Sequence, residues 1–319
     1  MWLCVLKRWG MALCLSLSAI GLCQAQPAIW VWEDDTRDWL KQPAVAQEAM
    51  SWLKMQGQRT LYLYAGAHVD ADVLVEQADL YRALIREAHR MGFEVHALLG
   101  SGALMTEKYI LPQNRARAIR LVQRILDYNQ AAAASDRFDG INLDIEPHVL
   151  DDWSERRTEY IAWWLQVSEL WMAMKRASGQ AIKIGPAIAF WLDGIVVQHG
   201  GVSKPTSEHL QDIYDHVVLM DYRNRALGRD GIISHGAQEV AYGRKIGKPV
   251  WLGVEFSPNA MSKLTFDGMT VSQTRQELLA VEQSLASEPA YAGLVFHHYG
   301  TFRTWMQRHR SASKPLLLP

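Results

Sequence analysis

The sequence predicts a protein of the α/β class, a single-domain (β/α)8 TIM barrel. Eight short runs of apolar, β-branched and aromatic residues alternate with longer amphipathic segments, an order that indicates a parallel sheet with helical crossovers. The glycine-rich turns Gly100-Ser101-Gly102 and Gly200-Gly201 lack the spacing of the phosphate-binding loop that an open doubly wound sheet usually carries. Eight strands in about 290 residues therefore favour a closed barrel.

The strands and helices follow from hydrophobic periodicity. The predicted strands are Ala28–Trp32, Thr60–Tyr64, Glu94–Leu99, Gly140–Ile145, Ile182–Ala189, His216–Met220, Val250–Val254 and Gly293–His297. The predicted helical segments are Ala71–Met91, Arg115–Asn129, Asp151–Ala177, His235–Ile246 and Val271–Ala286. No low-complexity segment or Pro/Gly/Ser-rich linker interrupts this order, so we expect residues 26–319 to form one catalytic domain.

The N-terminus predicts export. Lys7 and Arg8 precede the apolar run Met11–Leu22, and small residues at Cys23 and Ala25 form a signal-peptidase site. The run is shorter than the roughly 20 apolar residues that span a bilayer. We therefore expect residues 1–25 to be a signal peptide and the mature chain, without an integral membrane segment, to be periplasmic or secreted.

The cysteines leave one alternative open. All three, Cys4, Cys14 and Cys23, lie in the signal, so the mature chain would rest on its hydrophobic core rather than on disulfides. Acylation of Cys23 would instead anchor a lipoprotein, although Leu22 stands where such signals carry Gly or Ala.

Charge and composition restrict the partners. Without Lys7 and Arg8 the chain has 31 basic and 34 acidic residues, a net charge of −3, which argues against strong binding to nucleic acid or to a membrane surface. Thirteen tryptophans suit the core, and those at strand ends could stack on sugar rings. We expect a monomer that needs no cofactor and no metal.

The fourth predicted strand carries the chemistry. Strand residues alternate between faces, so Asn142, Asp144 and Glu146 point to the lumen while the apolar residues between them face the helices. Like charges so close in a low dielectric raise one pKa, and a carboxylic acid that keeps its proton can act as a general acid. A buried ion pair with a lumen Arg or Lys is the structural alternative.

The string Asp139-Gly140-x-Asn142-x-Asp144-x-Glu146 resembles the Asp-Gly-x-Asp-x-Asp-x-Glu signature of glycoside hydrolase family 18, the chitinases and endo-β-N-acetylglucosaminidases. Three weaker matches span the rest of the mature chain. Met220-Asp221-Tyr222-Arg223 resembles the family's Met-x-Tyr-Asp motif, Leu252-Gly253-Val254 its seventh strand, and the run Tyr291–Phe296 its glycine-containing last strand.

The resemblance implies a substrate-assisted retaining hydrolysis. Glu146 would protonate the glycosidic oxygen, Asp144 would orient the substrate's 2-acetamido group, and Tyr222 would hydrogen-bond near it. An exported enzyme of this kind suits chitin, peptidoglycan, N-glycan cores or a bacterial exopolysaccharide as its oligo- or polysaccharide substrate.

The chain departs from the family pattern in three places. Asn142 replaces the middle aspartate, Arg223 replaces the aspartate after the tyrosine, and His297-His298 stand near the usual floor tryptophan. Because an amide can hydrogen-bond but cannot share a proton, Asn142 implies weaker activity or a narrower pH range.

Further substrate-binding candidates lie at the predicted strand ends, where barrels of this kind carry function. They are Trp32, Glu33, Tyr64, Trp191, Asp221, Arg223, Glu255, His297 and Tyr299. The aromatic ones could equally fill the barrel, and Glu33-Asp34-Asp35 could be a solvated acidic loop.

Two of these candidates carry a further expectation. A carboxylate in the lumen, such as that of Glu255, requires a partner. The predicted partner is Arg223. His297 and His298 are successive, so only one of them can face the lumen.

Two other functions stay open. Asp144, Glu146 and His148 have the spacing of metal ligands, and His297 or His298 could complete a site for phosphodiester hydrolysis. Alternatively, a barrel of this kind that has lost catalysis would act as a carbohydrate-binding protein.

Overall fold

The computed structural model describes residues 26–68, 71–310 and 315–317. The predicted signal peptide lies outside these residues, so it stays a prediction. The strands are β1 Ala28–Val31, β2 Thr60–Tyr64, β3 Glu94–Leu99, β4 Gly140–Leu143, β5 Lys183–Ala189, β6 Val196–His199, β7 Val202–Pro205, β8 Val217–Met220, β9 Val250–Glu255 and β10 Tyr291–His297. The helices are α1 Glu33–Lys41, α2 Pro43–Met55, α3 Val73–Glu76, α4 Ala78–Arg90, α5 Arg115–Ala131, α6 Trp153–Ser178, α7 Thr206–Ile213, α8 Ile232–His235, α9 Ala237–Ile246, α10 Val271–Leu285 and α11 Tyr299–Arg308.

Eight of the strands close into a parallel barrel in the order β1-β2-β3-β4-β5-β8-β9-β10, with β10 returning to β1. The predicted (β/α)8 barrel is therefore confirmed, and each predicted strand lies within a few residues of its observed bounds. Helices cover the outer face of the sheet, where most of the buried apolar side chains pack in one cluster.

One hairpin was not predicted. Strands β6 and β7 pair antiparallel between β5 and α7, and the turn between them is Gly200-Gly201, with φ of 57° and 81°. Positive φ at both central residues is the geometry of a tight hairpin turn that glycine allows. The glycine pair therefore serves a local turn outside the barrel.

The two faces of β4 divide as the sequence predicts. Ile141, Leu143 and Ile145 belong to the outer core. Asn142 is fully buried on the other face, where its Oδ1 accepts a hydrogen bond of 3.0 Å from Trp30 Nε1. Trp30 belongs to a small apolar cluster inside the barrel, formed by Ala28, Trp30, Tyr62, Leu98, Ala187, Val218 and Val295. These side chains fill the lumen below the strand ends.

The first turn after β1 corrects a sequence-based expectation. Glu33-Asp34-Asp35, which could have been a solvated loop, is the first turn of α1, where negative charge is favourable beside the free N–H groups and the positive end of the helix dipole.

The predicted helix Ala71–Met91 is divided into α3 and α4. Within the described ranges, no helix has both the length and the apolar character needed to cross a membrane.

Candidate active site

Asp144 and Glu146 lie directly beyond the last residue of β4. The Asp144 amide continues the parallel ladder by donating to Leu99 O at 2.8 Å, and Pro147–Val149 then form a 3-10 turn. Both carboxylates are partly exposed. They therefore stand at the carboxyl end of a barrel strand, which is where catalytic groups of this fold are placed.

Both carboxyl groups have raised pKa values. Burial, and then the negative charge of Glu146, raise the pKa of Asp144, and burial raises the pKa of Glu146. Two carboxylates that interact this strongly titrate as a pair. A pair with raised pKa values keeps a proton to higher pH than free carboxyl groups do, which is what a general acid requires.

Gly100 forms a wall against Asp144. A Cβ on Gly100 would lie 2.4 Å from the Asp144 carbonyl oxygen and 2.8 Å from its Cβ, far inside van der Waals contact. The loop after β3 can approach Asp144 so closely only because residue 100 has no side chain.

Tyr222 lies near the same carboxylates, after β8, which only β5 separates from β4 in the barrel. Burial and the neighbouring negative charges, that of Asp144 first among them, raise the pKa of Tyr222 well above its usual value. The phenol therefore keeps its proton and can donate a hydrogen bond. Its ring lies 5.6 Å from that of His297, between centroids.

Trp32, His297 and Glu255 form one hydrogen-bonded chain. The Trp32 indole N–H donates to His297 Nε2 at 2.9 Å, and His297 Nδ1 lies 2.7 Å from Glu255 Oε2. Since an indole can only donate, Nε2 must accept, and the proton of the imidazole is on Nδ1. His298 is the N-cap residue of α11, and its Nδ1 lies 3.8 Å from Asp35 Oδ2.

Arg223 does not pair with Glu255, so that prediction is wrong. Its Nε donates to Asp230 Oδ1 at 2.7 Å, and its guanidinium lies 4.9 Å from the centroid of the Phe190 ring. The chain turns away from the lumen after Tyr222, which carries Arg223 to the loop before α8, while His297 on the neighbouring strand β10 satisfies Glu255.

Two other candidates lie away from the strand-end opening. Asp221 alternates with Tyr222 and is fully buried on the outer face, 3.9 Å from His235 (Oδ1–Nδ1), and burial raises its pKa well above its usual value. Tyr299 begins α11, and its ring packs edge-on against Trp39 at 5.0 Å between centroids. Neither side chain is placed to contact a substrate in the lumen.

The remaining candidates lie at the strand-end side of the barrel. Glu33 Oε1 is 2.5 Å from His68 Nδ1, and the hydroxyl of Tyr64 donates to Ala67 O at 2.8 Å. Trp191, in the turn after β5, meets the ring of His148 at 5.1 Å between centroids. These contacts fix the three side chains at the carboxyl ends of β1, β2 and β5.

The metal-dependent alternative finds no ligand set in the structure. His148 Nε2 is 3.6 Å from Glu146 Oε1, but His148 belongs to the 3-10 turn, as the proline before it suggests. Among residues 26–68, 71–310 and 315–317, no three His, Cys, Asp or Glu side chains are grouped so that they could hold a metal ion.

Comparison with known proteins identifies solved structures with the same fold. The sequence matches no family model and no curated protein. Among solved structures, a family 18 chitinase from Cycas revoluta in complex with (GlcNAc)3 superposes with a TM-score of 0.56 at 13% identity, over 91% of this chain and 99% of that one. The chain is thus a (β/α)8-barrel protein with the fold that family 18 chitinases have.

The same fold occurs in proteins with other functions. A xylanase–α-amylase inhibitor protein in complex with trehalose superposes with a TM-score of 0.51 at 10% identity, over 92% of this chain and 98% of that one. A β-galactosidase from Rahnella sp. R3 gives 0.52 at 12% identity, over 85% of this chain and 50% of that one. Function must therefore be argued from the side chains of the site.

Proposed function

We propose that this chain is an exported, monomeric glycoside hydrolase that cleaves β-linked N-acetylhexosamine glycans by a substrate-assisted retaining mechanism. One observation carries the proposal: two carboxyl groups with raised pKa values stand directly after β4, and burial together with their negative charges raises the pKa of the nearby Tyr222 phenol. A proton donor, a negative charge and a neutral hydrogen-bond donor are the three groups that this chemistry needs.

In the first step Glu146 gives its proton to the glycosidic oxygen. The carbonyl oxygen of the substrate's 2-acetamido group attacks the anomeric carbon, the bond to the leaving oxygen breaks, and a cyclic oxazolinium ion forms. Asp144 accepts the N–H of the acetamido group and stabilises the positive charge, while Tyr222 donates to the acetamido oxygen and orients it for attack. No carboxylate of the protein becomes covalently attached, as in other substrate-assisted glycosidases.

In the second step a water molecule adds to the anomeric carbon from the side that the leaving group vacated. Glu146, now ionised, accepts a proton from that water, and the oxazolinium ring reopens to the acetamido group. Two displacements at the same carbon retain the β configuration, and Glu146 ends the cycle protonated.

The test replaces Glu146 with Gln and assays N-acetylglucosamine hexamers, with the deacetylated glucosamine hexamer as second substrate. The wild type should cleave only the acetylated hexamer and release the β anomer first, as seen by proton NMR. Glu146→Gln should lose at least about 100-fold in kcat, the usual contribution of a general acid. Glu155→Gln, an exposed change in the first turn of α6, is the matched control and should keep full activity.

Unchanged cleavage by Glu146→Gln, or equal cleavage of the deacetylated hexamer, would refute the mechanism. If the wild type binds the acetylated hexamer but cleaves no glycan, the carbohydrate-binding alternative is correct instead.

A further inference from the structure

A cavity adjoins the loop that packs against Asp144. It is a cavity of about 280 Å³ between α5 and the loops that follow β2 and β3, close to the size of small-molecule sites. Gly100 and Ser101 form part of its wall, and Gly100 is the residue packed against Asp144. The cavity and the site of hydrolysis therefore share one wall.

Three arginines from one face of α5 line this cavity: Arg117, Arg120 and Arg124. Their spacing of three and four residues places them one above the other on the helix. Among the described residues, Asp72 is the only carboxylate in the lining, so the side chains described there carry a net charge of +2. A cavity with this excess favours a negatively charged ligand.

The three guanidinium groups differ in how they are satisfied. Arg124 is buried, donates through Nη1 to Ala65 O at 2.8 Å, and pairs through Nη2 with Asp72. Its Nε is buried and has no hydrogen-bond partner among the described residues. Arg117 and Arg120 form no ion pair or hydrogen bond with any residue in the described part of the chain, so their donors are available to a ligand.

The position of these charges on the helix is unfavourable in the free protein. Arg117 and Arg120 lie in the first two turns of α5, at the positive end of the helix dipole, and the first turn contains no acidic residue. Cations there are destabilising. Helix α1 of the same barrel has the favourable arrangement, with three acidic residues in its first turn. A bound anion would remove the unfavourable interaction in α5.

The rest of the lining suits a sugar. Leu104 and Leu121 supply apolar surface, and Tyr109 supplies a ring and a hydroxyl group. An acidic sugar presents the matching combination of an apolar ring face and a charged group, which a guanidinium binds through two parallel hydrogen bonds.

We propose that this cavity binds an oxyanion carried by a sugar unit near the cleaved bond, so that the substrate is an acidic N-acetylhexosamine glycan. The oxyanion is a carboxylate, a phosphate or a sulfate, and Arg117 and Arg120 are its principal ligands. That the substrate is an N-acetylhexosamine glycan rests on the proposed function. That the substrate is acidic rests on the arginine cavity alone.

The experiment measures binding by calorimetry in the Glu146→Gln protein, so that cleavage does not interfere. The probes are a hyaluronan tetramer, which alternates N-acetylglucosamine with glucuronate, a neutral N-acetylglucosamine tetramer, free glucuronate, inorganic sulfate and inorganic phosphate. The acidic tetramer should bind at least about tenfold more tightly than the neutral one, the scale of a charge-assisted hydrogen bond. Competition by glucuronate, sulfate or phosphate identifies the kind of oxyanion.

Arg117→Gln with Arg120→Gln should abolish that preference and leave binding of the neutral tetramer unchanged. Arg115→Gln removes the same charge from the same helix end but does not line the cavity, so it should keep the preference. The inference is overturned if no acidic probe binds with an affinity that depends on Arg117 and Arg120. Binding is measured without cleavage, so the two proposals can fail separately. If the wild type cleaves no glycan but the acidic tetramer still binds preferentially, the proposed hydrolase is refuted and this site is not. If the wild type cleaves the hexamer but the acidic tetramer has no advantage, this site is refuted and the hydrolase is not.

Discussion

The indole N–H of Trp32 donates to Nε2 of His297 at 2.9 Å, and this bond determines which nitrogen of the imidazole carries the proton. The Nδ1–H is thereby directed to Glu255. Burial by itself would raise the pKa of Glu255, but the hydrogen bonds from His297 and Ser257 outweigh it, and the pKa is lowered. Glu255 is therefore an ionised group that holds His297, whose ring lies 5.6 Å from that of Tyr222.

Removing the indole N–H of Trp32 should release His297, whose ring contacts Tyr222, while the space around Tyr222 stays filled. In Trp32→Phe an aromatic ring remains, but His297 Nε2 loses its donor and the imidazole can take either tautomer. We expect kcat to fall about 5- to 10-fold, which corresponds to one net hydrogen bond, with KM changed less. The ¹⁵N shifts of His297 should show a mixture of tautomers in the variant and a single one in the wild type.

The matched control is Trp163→Phe, on the half-buried face of α6 away from the strand ends. It should leave both the rate and the ¹⁵N shifts unchanged. If Trp32→Phe keeps a single tautomer and full activity, the indole does not position His297.

The sequence predicts those parts of this site in which the residues are close together along the chain. The alternation of Asn142, Asp144 and Glu146 with apolar residues repeats every two residues, so one strand suffices to assign the faces. The Glu255–His297 pair joins positions 42 residues apart that are register partners on β9 and β10. Only the strand order together with the register of the barrel reveals such a contact.

Strand ends are harder to predict than strands. Arg223 and Tyr299 both follow a predicted strand closely, yet Arg223 turns to Asp230, and Tyr299 already belongs to α11. A single residue of difference in where a strand ends changes the face to which the next side chain points. Arg117 and Arg120 of α5 have no acidic residue three or four positions away in the sequence, a signal that hydrophobic periodicity does not register.

A methyl group at position 100 should impair catalysis. In Gly100→Ala the new Cβ would lie 2.4 Å from the Asp144 carbonyl oxygen, so the loop or Asp144 must move. A shift of about 1 Å in a catalytic group can cost about 100-fold in rate, and we expect a loss of that order in kcat toward N-acetylglucosamine hexamers. Gly102→Ala is the control from the same loop, since nothing lies within 4 Å of its added Cβ. Equal activities for the two variants would contradict the contact.

Neutralising Asp144 should stabilise the protein at neutral pH. Because its folded-state pKa is raised, the native state binds more protons than the unfolded state between the unfolded pKa of about 4 and the folded one, and stability falls as the pH rises through this window. Asp144→Asn removes that loss, so its melting temperature should exceed that of the wild type at pH 8 and approach it at pH 4. Asp151→Asn, an exposed change in the following loop, should show no such pH dependence. An Asp144→Asn melting temperature that is lower at pH 8 would mean that the carboxylate is paired rather than destabilised.

Introducing a carboxyl group at position 142 should change the pH range of activity. Asn142 Oδ1 accepts from Trp30, while its Nδ2 is buried and has no hydrogen-bond partner among the described residues. An aspartate would keep the bond to Trp30 and add an oxygen that can share a proton. A third carboxyl group beside the pair disfavours ionisation further, so the pKa values of the group rise.

The alkaline limb of kcat/KM for Asn142→Asp should therefore move to higher pH, because Glu146 keeps its proton over a wider range. The protein should also become less stable at neutral pH, since the new group is buried. Asn142→Ala loses the acceptor of Trp30 without adding a carboxyl group, so it should lower the stability and leave the limb in place. If the limb does not move in Asn142→Asp, residue 142 does not share in the titration of Asp144 and Glu146, and its hydrogen bond to Trp30 is its whole role.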